Sequence, residues 1–242
     1  MSAMNAALGC FACAGVLFLA ASPSPPAIAA RVDHLILGVR DLEEGIRQFE
    51  ARTGVRPAIG GEHPGRGTRN ALASLGDGHY VEILAPQAGA PGSERVDALR
   101  GLADLTPVGW AVAVRDLESA RARLGAAGFT LSDVMPGSRA RPDGSLLEWR
   151  TFEIAKPPIA GAPFFIRWGD RATHPSEDSP AGCRLERLRV VTPGADDLRR
   201  MLAVLPLDVA VEKGGRGGLD ITLRCPTGTV TLSGADASSA PR

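Results

Sequence analysis

Hydrophobic positions along the chain alternate between two periods. From Val32 to Val39 apolar side chains run almost unbroken, with Leu35, Leu37 and Val39 on one face of an extended segment and Val32, His34 and Ile36 on the other, because successive side chains of a strand point to opposite sides. From Leu42 the period becomes helical, with Leu42, Ile46 and Phe49 recurring at i, i+4 and i+7, the stripe of an amphipathic helix over Leu42 to Arg52. Asp41 stands at the N-cap, where a carboxylate accepts orphan backbone N–H groups and complements the helix dipole. Gly54 stands where that helix ends. Strands are expected again at Arg69 to Leu75 and Tyr80 to Leu84.

The same order is written a second time. Val39-Arg40-Asp41-Leu42-Glu43 recurs as Val114-Arg115-Asp116-Leu117-Glu118, 75 residues on. An apolar strand, Val108 to Val114, precedes the second copy. A helix over Leu117 to Ala127 follows, with Leu117, Ala120 and Leu124 on one face, Asp116 as its N-cap and Gly128 at its end. Strands at Ser145 to Ile154 and Phe164 to Trp168 complete it. The unit is βαβββ, and a third copy is expected from a strand at Arg184 to Thr192, a helix at Asp197 to Leu205 and a hairpin around Pro226-Thr227-Gly228. The fold class is therefore α+β, built of repeated modules: 31–170 as a pair, 171–182 as a polar linker, 183–233 as the third module and 234–242 as a disordered tail.

The first 30 residues contain no Asp, Glu, Lys or Arg, and their apolar run from Ala6 to Ala21 is followed by Ser22-Pro23-Ser24-Pro25-Pro26 and small residues up to Ala30. This is the layout of a leader with a cleavage site near Ala30 or Arg31, although no basic residue marks its start. An exported protein, periplasmic or secreted, is expected, with a cytoplasmic location as the alternative and any membrane attachment coming only from an uncleaved leader. Lys plus Arg equals Asp plus Glu, 27 each, so no global field steers the chain to nucleic acid, and a small-molecule partner is expected instead. No P-loop, dinucleotide fingerprint or nucleophile elbow is present. Of the four cysteines, Cys10 and Cys13 lie in the leader, and Cys183 and Cys225 are left either to pair or to stand as buried thiols.

Alternation also picks out candidate chemistry. If the Leu37 and Ile83 faces pack beneath the helix, His34 and Glu82 both point to the opposite side of the sheet, where they could bind a metal or act as a base and its partner. The Gly-rich stretch from Gly60 to Gly67 carries Glu62, His63 and Arg66 and is expected to be a loop. Trp149, Phe164 and Trp168 are candidates to line an apolar cavity, and Arg150 and Arg167 to pair with a substrate carboxylate. Each has a plainer reading as core or surface. His174, in the linker, and His79, in a turn, receive no role.

The segments Val32-Asp33-His34-Leu35-Ile36-Leu37, His63-Pro64-Gly65-Arg66-Gly67-Thr68-Arg69-Asn70-Ala71-Leu72 and Tyr80-Val81-Glu82-Ile83-Leu84-Ala85-Pro86 resemble the glyoxalase-like domains of the vicinal-oxygen-chelate superfamily. The resemblance covers roughly residues 32 to 233. It implies modules that pair to curl a sheet around a cavity, with metal ligands, where a metal is bound, on the first and last strands of each module. His34 and Glu82 occupy those positions in module one, as catalytic residues and as ligands of one divalent metal ion. His63, Arg69, Asn70, Trp149, Arg150 and Trp168 are the expected substrate contacts. Module two departs from this pattern, because Gly109 and Ile166 stand opposite His34 and Glu82. A third ligand would have to be His63 or a partner subunit's residue. The odd module count leaves a homodimer open. The expectation is an enzyme of the lyase, isomerase or dioxygenase type acting on a small organic molecule, with a non-catalytic binding or sequestering protein of the same fold as the alternative.

Overall fold

The computed structural model describes residues 29–235 apart from 142 and 157. Module one runs β1 (Ala30–Gly38), α1 (Leu42–Thr53), β2 (Ala58–His63), β3 (Thr68–Gly76) and β4 (His79–Pro86). A connecting helix, α2 (Glu94–Arg100), leads into module two: β5 (Thr106–Val114), α3 (Leu117–Ala126), β6 (Thr130–Leu131), β7 (Met135–Ala140), β8 (Leu146–Lys156) and β9 (Phe164–Trp168). The two motifs cap their helices as the sequence predicts. The Asp41 carboxylate accepts from the Glu44 amide at 2.9 Å, and that of Asp116 from the Glu118 and Ser119 amides at 3.0 and 3.1 Å. Gly54 closes α1 with φ of 74°, a left-handed conformation that a side chain would oppose.

These strands form one nine-stranded sheet in the order β2-β3-β4-β1-β5-β9-β8-β6, with β7 also paired to β8. Within each module the first and last strands run parallel, β1 with β4 and β5 with β9, and the modules join where β1 meets β5 antiparallel. The sheet curls without closing. Its free edges approach at β2 and β7, where the Arg139 guanidinium donates to the Gly60 carbonyl. Leu35, Leu37, Val39, Ala71, Val81 and Ile83 face outward into the core with Leu42, Ile46 and Phe49 of α1. Gly45 lets α1 lie close on the sheet, since a Cβ there would sit 2.7 Å from Val39 and 2.9 Å from Ile83.

The remaining elements are α4 (Pro175–Asp178), β10 (Arg184–Thr192), α5 (Ala195–Val204), β11 (Ala210–Lys213), β12 (Gly218–Cys225) and β13 (Gly228–Ala235). The four strands form a separate sheet, β11-β10-β12-β13. Its period-two pattern is plain: Leu188, Val190, Leu219, Ile221 and Leu223 are buried in the same core as the outer face of the main sheet, while Arg189, Glu212, Asp220 and Arg224 form ion pairs on the far side. The third module thus needs no partner module to bury its apolar face. Cys183 and Cys225 are joined in a disulfide between the start of β10 and the end of β12.

Three expectations change. The polar linker contains α4, whose residues pack on β3, with the Ser74 hydroxyl donating to the Ser176 carbonyl at 2.6 Å. The Gly60–Gly67 stretch is half strand, since β2 extends to His63 and only residues 64–67 turn. Strand β13 runs to Ala235, two residues into the stretch expected as the tail. Residues 1–28 and 236–242, where most of the leader and tail expectations fall, lie outside the described residues. Among the described residues no helix is long and apolar enough to cross a membrane.

Candidate active site

The inner face of the curl encloses a cavity of about 410 Å³. Alternation delivers residues to it strand by strand: His34 and Ile36 from β1, Thr68, Asn70 and Leu72 from β3, Tyr80, Glu82 and Leu84 from β4, Trp149 and Thr151 from β8, and Phe164, Ile166 and Trp168 from β9. The same rule keeps Arg69 and Arg150 out. Arg69 stands between two inward residues of β3. Arg150 stands between two of β8 and lies on the outer face, half exposed, 3.9 Å from Glu118. Arg167 likewise pairs with Asp170 at the surface. None of the three arginines lines the cavity, whereas His63, Asn70, Trp149 and Trp168 of the expected substrate contacts do.

His34 and Glu82 converge, with His34 Nε2 3.7 Å from Glu82 Oε2. His63, at the end of β2, approaches from the other side, its Nε2 3.6 Å from Glu82 Oε1. Asn70 ties these groups together, its amide nitrogen lying 2.7 Å from Glu82 Oε1 and 3.2 Å from His63 Nε2. An amide nitrogen only donates, so His63 Nε2 accepts and its Nδ1 carries the proton, donated to Thr68 Oγ1 at 2.9 Å. Burial pulls His63 below its ordinary value of 6.5, and the charges of Arg139, Arg66 and Arg95 add to that against the opposing pull of Glu82. Burial alone would raise Glu82, but His63, His34, the Asn70 bond and Arg139 outweigh it and hold the carboxyl below 4.5. Glu82 is therefore ionised at neutral pH.

The residue that strict alternation misplaces is Asp33. A register shift in the β1–β5 pairing falls between Val32 and His34, and such a bulge re-aims side chains that would otherwise alternate. Asp33 is fully buried, and its Oδ2 accepts from His34 Nδ1 at 2.8 Å. Its carboxylate also accepts from His174 Nε2 at 3.1 Å and from Trp168 Nε1 at 3.2 Å. Burial pushes the carboxyl upward, but the His174 and His34 bonds and charges prevail and hold it far below the usual carboxylate range. His174 is fixed in turn, because the Ser176 amide donates to its Nδ1 at 3.2 Å. This histidine, given no role from sequence, therefore braces the carboxylate behind His34. An acidic residue beside a strand histidine was the one available signal for Asp33. Nothing in the linker's composition pointed to His174.

Aromatic rings wall the cavity. Tyr80 stacks on His34 with ring centres 4.6 Å apart, Phe164 meets His34 edge-on at 5.5 Å, and Trp149 meets Trp168 at 5.6 Å. Gly137 of β7 makes room for the Trp149 indole, since a Cβ there would fall 2.3 Å from its Nε1. From the connecting helix α2, Leu99 packs on Ile36 and Leu84. A divalent metal, expected from the resemblance, does not fit the donors present. Among the described residues no group of three or more His, Cys, Asp or Glu is arranged to hold an ion. The Asn70 amide engages both His63 Nε2 and Glu82 Oε1, and module two offers only Gly109 and Ile166.

A curled sheet of βαβββ modules around an aromatic cavity with titratable groups at one side defines an α+β protein of the vicinal-oxygen-chelate kind. The chain belongs to the glyoxalase-like domain family, whose profile matches residues 32–205. Its fold is similar to that of a hypothetical protein from Staphylococcus aureus, at 15% identity, TM-score 0.56 and 86% of each chain covered. Weaker similarity extends to Streptomyces coelicolor methylmalonyl-CoA epimerase, at 19% identity and TM-score 0.38 over 51% of this chain and 86% of that one. It extends also to 4-hydroxymandelate synthase from Streptomyces coelicolor, at 15% identity and TM-score 0.45 over 88% and 64%. No curated protein sequence matches the chain.

Proposed function

We propose that this protein is an enzyme that moves a proton on a small organic molecule held in the cavity, with His34 as proton acceptor and Asp33 as the residue that positions it. The observation that carries this reading is the 2.8 Å contact of Asp33 with His34 Nδ1. It keeps the proton on Nδ1, turns Nε2 toward the cavity and supports the imidazolium that forms on protonation, the arrangement by which a buried carboxylate makes a histidine an effective base. Ionised Glu82, 3.7 Å from Nε2, stabilises the same positive charge. In the step proposed, a C–H bond next to a substrate carbonyl breaks, the proton passes to His34 Nε2 and the electron pair moves onto the carbonyl oxygen. Delivery of a proton to a different atom completes an isomerisation, and delivery to the opposite face of the same carbon an epimerisation.

The test is deuterium uptake, followed by proton NMR, from D2O into a panel of small carbonyl compounds. The wild-type protein is expected to exchange at least one of them, and His34→Asn to slow that exchange about 10²-fold or more with unchanged thermal unfolding. Exchange at the wild-type rate in His34→Asn overturns the assignment. Exchange abolished by a chelator and restored by a divalent ion would replace it with a metal-dependent one. A sequestering protein is the second reading, supported by Gly109 and Ile166 at the module-two positions. Saturable binding with no exchange of any compound decides for it.

We infer export as well, since the Cys183–Cys225 disulfide belongs to the class of bonds that persist in oxidising compartments and so supports the leader. Mass spectrometry of the protein from native cells is expected to find a chain beginning near Ala30 or Arg31. Met1 retained in a cytoplasmic fraction overturns this.

A further inference from the structure

The proton-transfer groups leave a buried cavity charge unused. Arg139, on β7 of module two, lines the cavity and keeps only 4% of its surface exposed. Among the described residues its one hydrogen bond goes to the Gly60 carbonyl, and no carboxylate lies within ion-pair distance. Because Arg139 lines the cavity and spends only Nη1 on Gly60, donors remain for a ligand there. A guanidinium carries five N–H donors in a fork that matches a planar carboxylate, and a buried cation without a counter-ion is costly. Arg66, from the β2–β3 turn, and Arg95, from α2, line the same cavity and add positive field. Trp149 and Trp168 supply flat apolar surface beside it.

We infer that Arg139 anchors a carboxylate, and that the cavity takes small organic acids with a flat, apolar body. This deepens the reading above and rests on it for the cavity being the substrate site. The acid supplies a contact ion-pair partner, where the fold offers Arg139 only the longer-range field of Glu82, through two parallel N–H···O bonds, while its apolar part lies against the tryptophans. Arg139 comes from the module that has no counterpart of His34 or Glu82, so the anchor and the base approach the substrate from opposite halves of the sheet.

Trp149 and Trp168 make intrinsic fluorescence a direct report of occupancy. Phenylacetate is expected to bind saturably, and phenylacetamide, which has the same shape without the charge, about tenfold or more weakly. Arg139→Gln is expected to lower the affinity for the acid to that of the amide while leaving the amide unchanged, and Arg139→Lys to fall between. The acid–amide contrast needs no variant, so the inference stays testable if Arg139→Gln does not fold. Equal binding of acid and amide, failure of every aryl acid tried to bind, or equal loss of both in Arg139→Gln overturns it. Tighter binding of phenyl phosphate than of phenylacetate overturns the choice of carboxylate. Acid binding without exchange of any compound defeats the proton-transfer reading alone, whereas exchange confined to neutral carbonyl compounds defeats the anchor alone.

Discussion

Modules one and two share an element order and a helix-capping motif, yet they furnish the cavity with different chemistry. Module one provides Asp33, His34, His63, Asn70 and Glu82, whereas module two provides Arg139, Trp149, Phe164 and Trp168. At the positions that sequence alignment of the modules matches to His34 and Glu82 the second carries Gly109 and Ile166. A Cβ at Gly109 would have only the Ile36 side chain nearby, at 3.6 Å, so packing alone does not exclude a larger residue there. A paired-module fold can thus divide its labour, with one half holding the reactive groups and the other the surface that grips the ligand.

The sharpest way to break this comparison is to disable the positioning carboxylate. Asp33→Asn is expected to cut deuterium exchange about 10²- to 10⁴-fold by removing control of the His34 tautomer. Ile166→Val, at the corresponding face of module two, should change it by less than about twofold, a one-methylene adjustment in a cavity wall. Comparable losses in both would end the division of labour. His34→Gln alongside Asp33→Asn separates positioning from collapse, since the double variant should be little slower than His34→Gln alone if Asp33 acts through the histidine.

Stability should show no such division. Phe49 of α1 and Phe165 of β9 are both fully buried in one continuous core, so Phe49→Ala and Phe165→Ala are each expected to cost about 3–5 kcal/mol in urea unfolding. A loss below about 1 kcal/mol for either would mean that the modules do not share a core. The smallest effects belong to the duplicated motif. Asp41→Ala and Asp116→Ala each remove a cap and should cost about 1 kcal/mol. A difference of more than about 1 kcal/mol between them would mean that the two helices depend on their caps unequally.

The sequence made much of the fold legible because local patterns carried it. Alternation placed Leu35, Leu37 and Ile83 under α1 and His34 and Glu82 in the cavity, and the helical stripes located α1, α3 and α5 to within two residues. The same rule sets Arg69 and Arg150 on the outer face of β3 and β8, each between two residues that line the cavity, so a side chain's charge alone does not bring it inside. Helix α2 was missed because only Val96 and Leu99 of its seven residues are buried, too short a stripe to stand out from a Pro- and Gly-rich connection.

What the chain determined by itself was the module: a strand, a capped helix and further strands, each following from side-chain periodicity and backbone preference within a few residues. Only the tertiary structure decided the chemistry. The bulge that turns Asp33 toward His34, the α4 segment that brings His174 across 141 positions, and the approach of β2 and β7 that buries Arg139 all arise from contacts between residues distant in sequence. A one-residue shift in pairing reverses the face of a side chain, and no local pattern records where such a shift will fall.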